Sequence, residues 1–308
     1  MSDNSLRVGG SEVELVYKDP FGLWLRKKGG LAEIQPTMRM RIGTCLESLI
    51  LDAYQEVTGY ALDPHQPVRF DPVRPYMRTH YDALCVGQRR GVDAKFTSFD
   101  QREMWADDIP DRILLQCHYY LASSDYDYWD VAVLQGDRFE IRTVERDPEV
   151  EDSILERVQE FWHRYLVGDE RPPMSASEAC RAWLQRTFPR ETAPVREATE
   201  DEISLLNYYA QLRADQDELQ DERDKLESVL KQRLGDDAGM NFEGGHFTWR
   251  RSKDAQIMDW QSLAITLERF VTDREQLAQI KADHTRTREG TRRIHFSHPL
   301  RREASHAA

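Results

Sequence analysis

Apolar residues in the first half of the chain recur at two spacings, one typical of helices and one typical of strands. Over residues 38–57 they recur every three or four positions, which predicts a helix that ends at Gly59. Residues 81–86 and 90–96 are short apolar runs separated by Gly87-Gln88, which predicts a β-hairpin. The two spacings together indicate an α/β protein.

The same alternation continues beyond this hairpin. It predicts a helix over 112–123, a strand pair over 128–134 and 138–144, and a helix over 149–167. Pro172-Pro173 then marks a domain boundary. We therefore predict an α/β core over residues 1–172 and an extension of helices and a small β element over residues 173–308.

The extension contains leucines that recur every seven residues. Leu205, Leu212, Leu219 and Leu226 predict a long helix or helical hairpin, and the acids Asp215 and Glu222 near the seam favour packing on its own core over a free two-stranded coiled coil. An aromatic and basic strand, HFTWRRS, follows Gly244-Gly245, and a helix is predicted over 259–283. The basic tail, 286–302, has weak periodicity and is predicted to be mobile or an edge strand.

Composition places the protein in the cytoplasm. No apolar run is long enough to span a membrane, and the N-terminal residues lack the pattern of a secretory signal. Cys45, Cys85, Cys117 and Cys180 include no close pair, as is typical of free thiols in a reducing compartment.

The formal net charge of -13 argues against nucleic-acid binding, because phosphate recognition usually requires a basic surface. Much of the acid, however, is concentrated in residues 199–237. Basic residues cluster elsewhere, at Arg26, Lys27 and Lys28 and along residues 69–90. The charge therefore does not exclude a nucleic-acid function for the core.

Three charged residues fall on the predicted hairpin, where core residues are expected. Asp93 and Lys95 are two apart and project to the same side of their strand, and Asp82 lies on the neighbouring strand. Two carboxylates and an amine suit phosphodiester hydrolysis with Mg²⁺, or with Mn²⁺, rather than with zinc. The alternative is a solvated hairpin in which Asp93 and Lys95 form an exposed ion pair.

Flanking helices carry three further polar residues. Glu47 lies at the edge of the apolar stripe of the first predicted helix, and Gln116 and Tyr120 share one face of the second. Each has an ordinary alternative: Glu47 as a solvated helix acid, and the other two as surface and core residues. No histidine pair has metal-binding spacing.

The order of these motifs resembles the PD-(D/E)xK nuclease superfamily, and within it the lambda-exonuclease-like, YqaJ-type phage recombination nucleases. The resemblance extends over most of residues 7–170 and into the extension. It is carried by the stretches GGSEV, DPFGLWLRKKG, RIGTCLESLILDAYQEVTG, YDAL, VDAKF, LLQCHYYLA and WDVAVLQGDRFEIRTVERD. It implies a central mixed sheet flanked by helices. Two departures are Tyr81, where a proline is common, and Asp93, where glutamate is commoner.

The resemblance also implies roles for individual residues. Glu47, Asp82 and Asp93 would bind the metal, Lys95 would be the catalytic lysine, and Gln116 would match the glutamine that follows the catalytic hairpin. Arg7 and Ser11 fall where such enzymes contact the DNA end, and Tyr120 is assigned to the same end-binding group. A frayed tail and a helix N-cap are the ordinary alternatives for Arg7 and Ser11.

The function implied is a Mg²⁺-dependent exonuclease that acts on linear double-stranded DNA. It would digest 5′ to 3′ and leave 3′ overhangs for a single-strand annealing protein, and it would form a homo-oligomer, such as a trimeric ring. The alternatives are a different PD-(D/E)xK endonuclease of repair or restriction, and a non-catalytic DNA-binding scaffold with this fold.

Overall fold

A computed structural model describes residues 3–30, 35–64, 66–98, 105, 108–255, 257–286, 290 and 294. The chain forms two compact units, Met1–Phe188 and Pro189–Ala308. Every residue of the predicted site lies in the first unit.

A five-stranded mixed sheet forms the centre of the first unit, in the order β2-β5-β6-β7-β8. Its strands are β2 (Leu62–Asp63), β5 (Ala83–Cys85), β6 (Arg90–Thr97), β7 (Tyr128–Gln135) and β8 (Arg138–Glu145). Neighbours are antiparallel except β6 and β7, which are parallel. Both predicted strand pairs are confirmed, and with them the mixed sheet.

Helices cover both faces of this sheet. They are α3 (Met38–Thr58), α4 (Asp111–Ala122) and α5 (Pro148–Phe161), the last continued by a π-helical turn, Trp162–Val167. Helix α3 packs on one face through Ile50 and Tyr54, while Cys117 of α4 and Val158 of α5 belong to the core on the other face. Helix α3 ends at Gly59, whose φ of 74° is readily available to glycine.

A small second sheet, which the sequence pattern did not predict, joins the N-terminus to the region before the hairpin. It contains β1 (Val8–Gly9), β3 (Arg69–Phe70) and β4 (Met77–Thr79), in the order β1-β4-β3. Two short helices, α1 (Val13–Lys18) and α2 (Pro20–Lys27), follow β1. Strands of two or three residues are too short to show a hydrophobic period, so only long-range pairing reveals them.

The compact unit extends beyond the boundary predicted at residue 172. Helix α6 (Glu178–Thr187) packs on α2, where Cys180 completes a small core with Phe21 and Leu25, and Trp183 packs against that core. The proline pair therefore interrupts helical structure without ending the unit.

The second unit begins with α7 (Glu200–Leu234), which is capped by a reciprocal pair of hydrogen bonds between Thr199 and Glu202. The long helix is confirmed, but the prediction that its leucine seam packs on a core is wrong. The four heptad leucines are exposed, whereas Ala210 and Leu234 are buried.

The rest of the second unit contains the predicted small β element and two helices. Strands β9 (Gly239–Phe242) and β10 (Gly245–Thr248) form an antiparallel hairpin. The single helix predicted over 259–283 is wrong: α8 (Trp260–Glu268) and α9 (Arg274–His284) are separate, and Asp273 caps the second. Most of the predicted tail lies outside the described residues.

Two expectations from composition concern the whole chain. Within the described residues, no helix is both long and apolar enough to cross a membrane. All four cysteines are free thiols, and Cys85, Cys117 and Cys180 are buried while Cys45 is exposed.

Candidate active site

Asp93 and Lys95 lie on the same side of β6, as their spacing predicts. Asp93 is only 1% exposed, whereas the Lys95 side chain is 22% exposed. The Lys95 ammonium forms an ion pair with the Oδ2 atom of Asp93. Burial would lower the pKa of Lys95, but Asp93 and Asp82 outweigh burial and hold this pKa above its ordinary value. The alternative of a solvated, exposed pair is therefore wrong, and the site holds a charged amine beside a buried carboxylate.

Asp82 immediately precedes β5 and reaches across to β6. Its Oδ2 atom accepts a hydrogen bond of 2.8 Å from the backbone N–H of Ala94, the residue between Asp93 and Lys95. Burial and the neighbouring Asp93 raise the pKa of Asp82 to about 8, and these two effects exceed the opposing influence of Lys95. The hairpin thus brings two carboxyl groups and one amine together.

Glu47 approaches this group from α3. Its side chain is half-buried, and its charge contributes to the raised pKa of Asp82. Across the described residues, however, no three His, Cys, Asp or Glu side chains are arranged as a cluster that could hold a metal ion. The convergent carboxylates are therefore Asp82 and Asp93, with Glu47 within electrostatic range.

This donor set suits a hard cation. Mg²⁺ is commonly bound through one or two carboxylates, while water and substrate phosphate supply its other ligands. Apart from the Lys95 ion pair, no donor in the described part of the chain satisfies the buried Oδ2 atom of Asp93. A divalent cation held by Asp82 and Asp93 would offset the repulsion between the two buried carboxyl groups.

Gln116 and Tyr120 of α4 face this carboxylate pair. The Gln116 amide donates to Asp93 Oδ1 at 3.3 Å and to the Tyr120 hydroxyl at 2.9 Å. Both side chains are buried. The helical spacing of four residues therefore places both side chains at the site, and Gln116 holds one oxygen of Asp93.

The Tyr120 ring connects the site to the N-terminal segment. It packs edge-on against Tyr81, at a centroid distance of 5.1 Å, and lies 5.0 Å from the ring of Trp129. On another side it contacts Gly10, where a Cβ atom would lie 2.3 Å from Tyr120 Cε1. A glycine is required here for close approach, so the segment containing Arg7 and Ser11 is held beside the site.

Arg7 and Ser11 have different surroundings. The Arg7 guanidinium stacks on Phe70 at 5.1 Å, and its Nη1 atom lies 3.4 Å from the carbonyl oxygen of Met77. Its Nε atom is buried, and no hydrogen-bond partner for it is found among the residues that the structure describes. Ser11 is exposed, in a 3₁₀ turn that precedes α1.

The ordinary alternative for Ser11, a cap on the following helix, is wrong. Gly9 precedes the turn, and the Glu12 carboxylate accepts the Gly9 N–H at 2.7 Å. The 3₁₀ turn runs directly into α1, whose N-cap residue is Glu12. The Ser11 hydroxyl is thus not committed to a cap.

Two cationic residues near this segment were not predicted as site residues. Lys27 of α2 is buried, and its ammonium donates to the Glu12 carboxylate at 2.6 Å and to the Arg7 carbonyl at 2.7 Å. Arg78, opposite Gly9 in the small sheet, lies 3.9 Å from the same carboxylate. The basic cluster at residues 26–28 was the available sequence signal for Lys27, but its long-range partners were not visible.

The arginines spaced along residues 69–90 divide into two groups. Arg74, Arg89 and Arg90 form ion pairs with Asp71, Asp127 and Asp130. Arg69 instead stacks on the ring of Tyr81 at 5.2 Å, next to the β5–β6 hairpin. Arg69 and Arg78 both lie on the small sheet, whose first strand begins at Val8, directly after Arg7.

The chain is similar to a known protein family and to a bacterial protein. Residues 5–127 match the YqaJ-like viral recombinase domain. The chain is also 24% identical over 240 residues to the uncharacterized protein YqaJ of Bacillus subtilis (strain 168), covering 74% of this chain and 75% of that protein. The resemblance seen in the sequence motifs is confirmed.

Two solved structures are also similar to this chain. An alkaline exonuclease from Laribacter hongkongensis matches with a TM-score of 0.46 and 18% identity, over 53% of this chain and 89% of that one. A phage-related exonuclease from Haemophilus somnus 129PT matches with a TM-score of 0.44 and 12% identity, over 52% of this chain and 95% of that one.

Proposed function

We propose that this protein is a metal-dependent exonuclease that hydrolyses phosphodiester bonds of linear double-stranded DNA. The observation that carries the proposal is the convergence of Asp82, Asp93 and Lys95 at the β5–β6 hairpin of the central sheet. The match to a viral recombinase domain supports DNA as the substrate.

Each residue of the site has a role in this proposal. Asp82 and Asp93 hold Mg²⁺ or Mn²⁺, with Glu47 as a third acid, and the bound cation would polarise the scissile phosphate and lower the pKa of a water ligand. Lys95 remains protonated, so it orients the attacking water or stabilises negative charge that develops on the phosphate. Gln116 keeps Asp93 in place through its amide.

The N-terminal segment supplies the end-binding part of the proposal. The Arg7 guanidinium is half-buried, Ser11 is exposed, and Tyr120 holds Gly10 beside the site. A terminal 5′ phosphate carries more charge than an internal diester, so a positive charge in this segment would favour phosphorylated ends. Recognition of the 5′ end would make digestion run 5′ to 3′ and leave a 3′ overhang.

The biological partners follow from this activity. A 3′ overhang is the substrate of a single-strand annealing protein, which we propose as the partner in phage-type homologous recombination. A ring-shaped homo-oligomer, such as a trimer, would enclose the DNA and keep it bound between cleavage steps. We place the reaction in the cytoplasm of a bacterial host cell.

Digestion of end-labelled DNA tests the activity. Linear duplex labelled at either the 5′ or the 3′ end of one strand should be degraded only with Mg²⁺ or Mn²⁺, and 5′ label should be released first. Lys95→Ala should be inactive. Lys18→Ala, which removes an exposed lysine paired with Glu14, is the matched control and should retain full activity.

The same assay separates the alternatives. Cleavage of closed circular DNA would indicate an endonuclease of repair or restriction, and DNA binding without cleavage under any metal condition would indicate a scaffold. Calorimetric titration of Mg²⁺ tests the metal directly: Asp82→Asn and Asp93→Asn should both weaken binding. Unchanged affinity in both variants would contradict their role as ligands.

A further inference from the structure

The β9–β10 hairpin of the second unit presents a row of aromatic rings on one face. Gly245 and Phe247 are two residues apart in β10, so they lie on the same face of the hairpin. The N–H of Trp249 donates to the Ala238 carbonyl at 3.1 Å, which extends the pairing of the two strands and places Trp249 on that face as well. Phe242 is paired with Gly245, and its ring covers the space that the glycine leaves empty. Phe242, Phe247 and Trp249 thus occupy three successive steps of one face.

These rings are largely accessible. Phe242 is 62% exposed and Trp249 is 50% exposed, while Phe247 is half-buried. In the described part of the chain none of the three rings stacks on another aromatic ring. A single exposed aromatic residue is ordinary, but three neighbouring rings on one face indicate a binding surface.

The spacing of the row selects the shape of the ligand. Side chains two residues apart along a strand are separated by about 6.6 Å. That distance is roughly twice the 3.4 Å rise per nucleotide in duplex DNA. Separated bases of an extended single strand can each contact a ring, whereas the bases of a duplex are stacked and paired inside the helix.

Basic residues accompany the rings. Arg250 and Arg251 follow Trp249 directly, Lys253 comes two residues later, and the Lys231 ammonium of α7 lies 5.6 Å from the centre of the Trp249 ring. Arg251 and Lys231 form ion pairs with Asp254 and Glu227, and the Arg251 pair is largely exposed, so it can exchange its carboxylate for a phosphate. Trp249, Arg250 and Arg251 line an open groove of about 480 Å³, which Asp236 and Asp237 also line. The two acids would repel phosphate, so we place the phosphates with the basic side chains and the bases on the rings.

We propose that this hairpin, residues 239–251, binds single-stranded nucleic acid by stacking bases on Phe242, Phe247 and Trp249. The site goes beyond the proposed nuclease function, because it lies in the unit that contains no proposed catalytic residue. A strand left unpaired by that nuclease would be a ligand of this kind.

Binding of a fluorescein-labelled 20-mer of thymidylate, followed by fluorescence anisotropy with the full-length protein in EDTA, tests the proposal. Phe242→Ala and Trp249→Ala should each weaken binding about fivefold to tenfold. Trp260→Ala is the matched control, because Trp260 is 72% exposed but lies in α8, outside the hairpin. Its affinity should equal that of the unmodified protein.

Salt dependence provides a second measurement. If Arg250 and Arg251 each contact a phosphate, the slope of log affinity against log salt concentration should become shallower by about 0.7 for each arginine replaced by alanine. A blunt duplex of equal length should bind with no dependence on Trp249. Circular dichroism spectra that match the unmodified protein would show that each variant is folded.

Three results would overturn the proposal. The first is that all variants bind the 20-mer with the same affinity, and the second is that Trp249→Ala weakens duplex binding as much as it weakens binding of the 20-mer. The third is that the ring variants disrupt self-association while oligonucleotide binding is unchanged. The last result would identify the rings as a protein–protein interface. Because EDTA prevents cleavage, absence of nuclease activity would disprove the proposed function without affecting this test.

Discussion

Gly10 lies against the ring of Tyr120 so closely that a Cβ atom at Gly10 would come within 2.3 Å of Tyr120 Cε1. The Tyr120 hydroxyl accepts a hydrogen bond from Gln116, and Gln116 also donates to Asp93. A continuous set of contacts therefore connects the N-terminal segment to the buried Asp93 carboxylate of the candidate active site.

Gly10→Ala should damage both stability and activity. The Tyr120 ring is buried among other rings and cannot move freely, so the added methyl group should lower the free energy of unfolding by about 1–3 kcal/mol. Displacement of the ring should also reduce the cleavage rate through Gln116. Chemical denaturation and the digestion assay measure the two effects. In the control, Gly9→Ala, the new methyl group meets the flexible end of Arg78 at 3.0 Å, and the effect should be smaller. Equal stability of the two variants would contradict the close packing at Gly10.

Lys95→Ala should lower the cleavage rate by at least about 100-fold, because a positioned charge that stabilises the transition state is lost. It should also leave Asp93 buried without its ion-pair partner, at a cost in stability of about 1–3 kcal/mol. Rate measurement and thermal unfolding check these two effects. Lys18→Ala is again the control, since its exposed ion pair should contribute little. Normal cleavage by the Lys95 variant would exclude the catalytic assignment.

Asp82 should make the stability of the metal-free protein depend on pH. Its pKa is raised from the ordinary value of 3.8 to about 8, so between these values the folded state retains a proton that the unfolded state releases. The free energy of unfolding should therefore fall as pH rises from about 4 to about 8. Asp82→Asn should show a smaller fall, as measured by urea unfolding in EDTA at several pH values. An identical pH dependence in the variant would show that Asp82 is not the responsible group.

Arg7→Ala should abolish the preference for phosphorylated DNA ends. The unmodified protein should digest 5′-phosphorylated linear duplex faster than 5′-hydroxyl duplex, because the half-buried Arg7 guanidinium places a positive charge in the N-terminal segment. The variant should digest both at the slower rate. Initial rates on the two substrates measure this difference, and Arg26→Ala serves as the control for loss of a positive charge. Equal rates for the unmodified protein would leave Arg7 without an end-sensing role.

Truncation should show whether the first compact unit ends at Phe188 or at the proline pair, Pro172-Pro173. A fragment of residues 1–188 should fold and retain nuclease activity, since it keeps every proposed catalytic residue and the packing of α6 on α2. A fragment of residues 1–172 loses Cys180 and Trp183, which exposes Phe21 and Leu25, and should unfold at a lower temperature. Thermal unfolding and end-labelled digestion of both fragments provide the comparison. A folded but inactive 1–188 fragment would mean that the second unit completes the active site.

Local spacing in the sequence determined much of the core and of the site. The helical period predicted α3 and α4 closely, and the strand patterns predicted both strand pairs. The two-residue spacing placed Asp93 and Lys95 on one side of β6, and the four-residue spacing placed Gln116 beside Tyr120. These relationships depend on the geometry of a single element, which its own residues encode.

The tertiary structure alone decided how these elements meet. It buried Asp93, brought Asp82 to the Ala94 amide, and placed Gly10 on Tyr120 across a long stretch of chain. It also paired the short strands of the small sheet and left the α7 leucines exposed although their period is that of a packed seam. Burial, long-range pairing and pKa shifts depend on which surfaces pack together, and the period of one segment carries no information about the surface that will cover it.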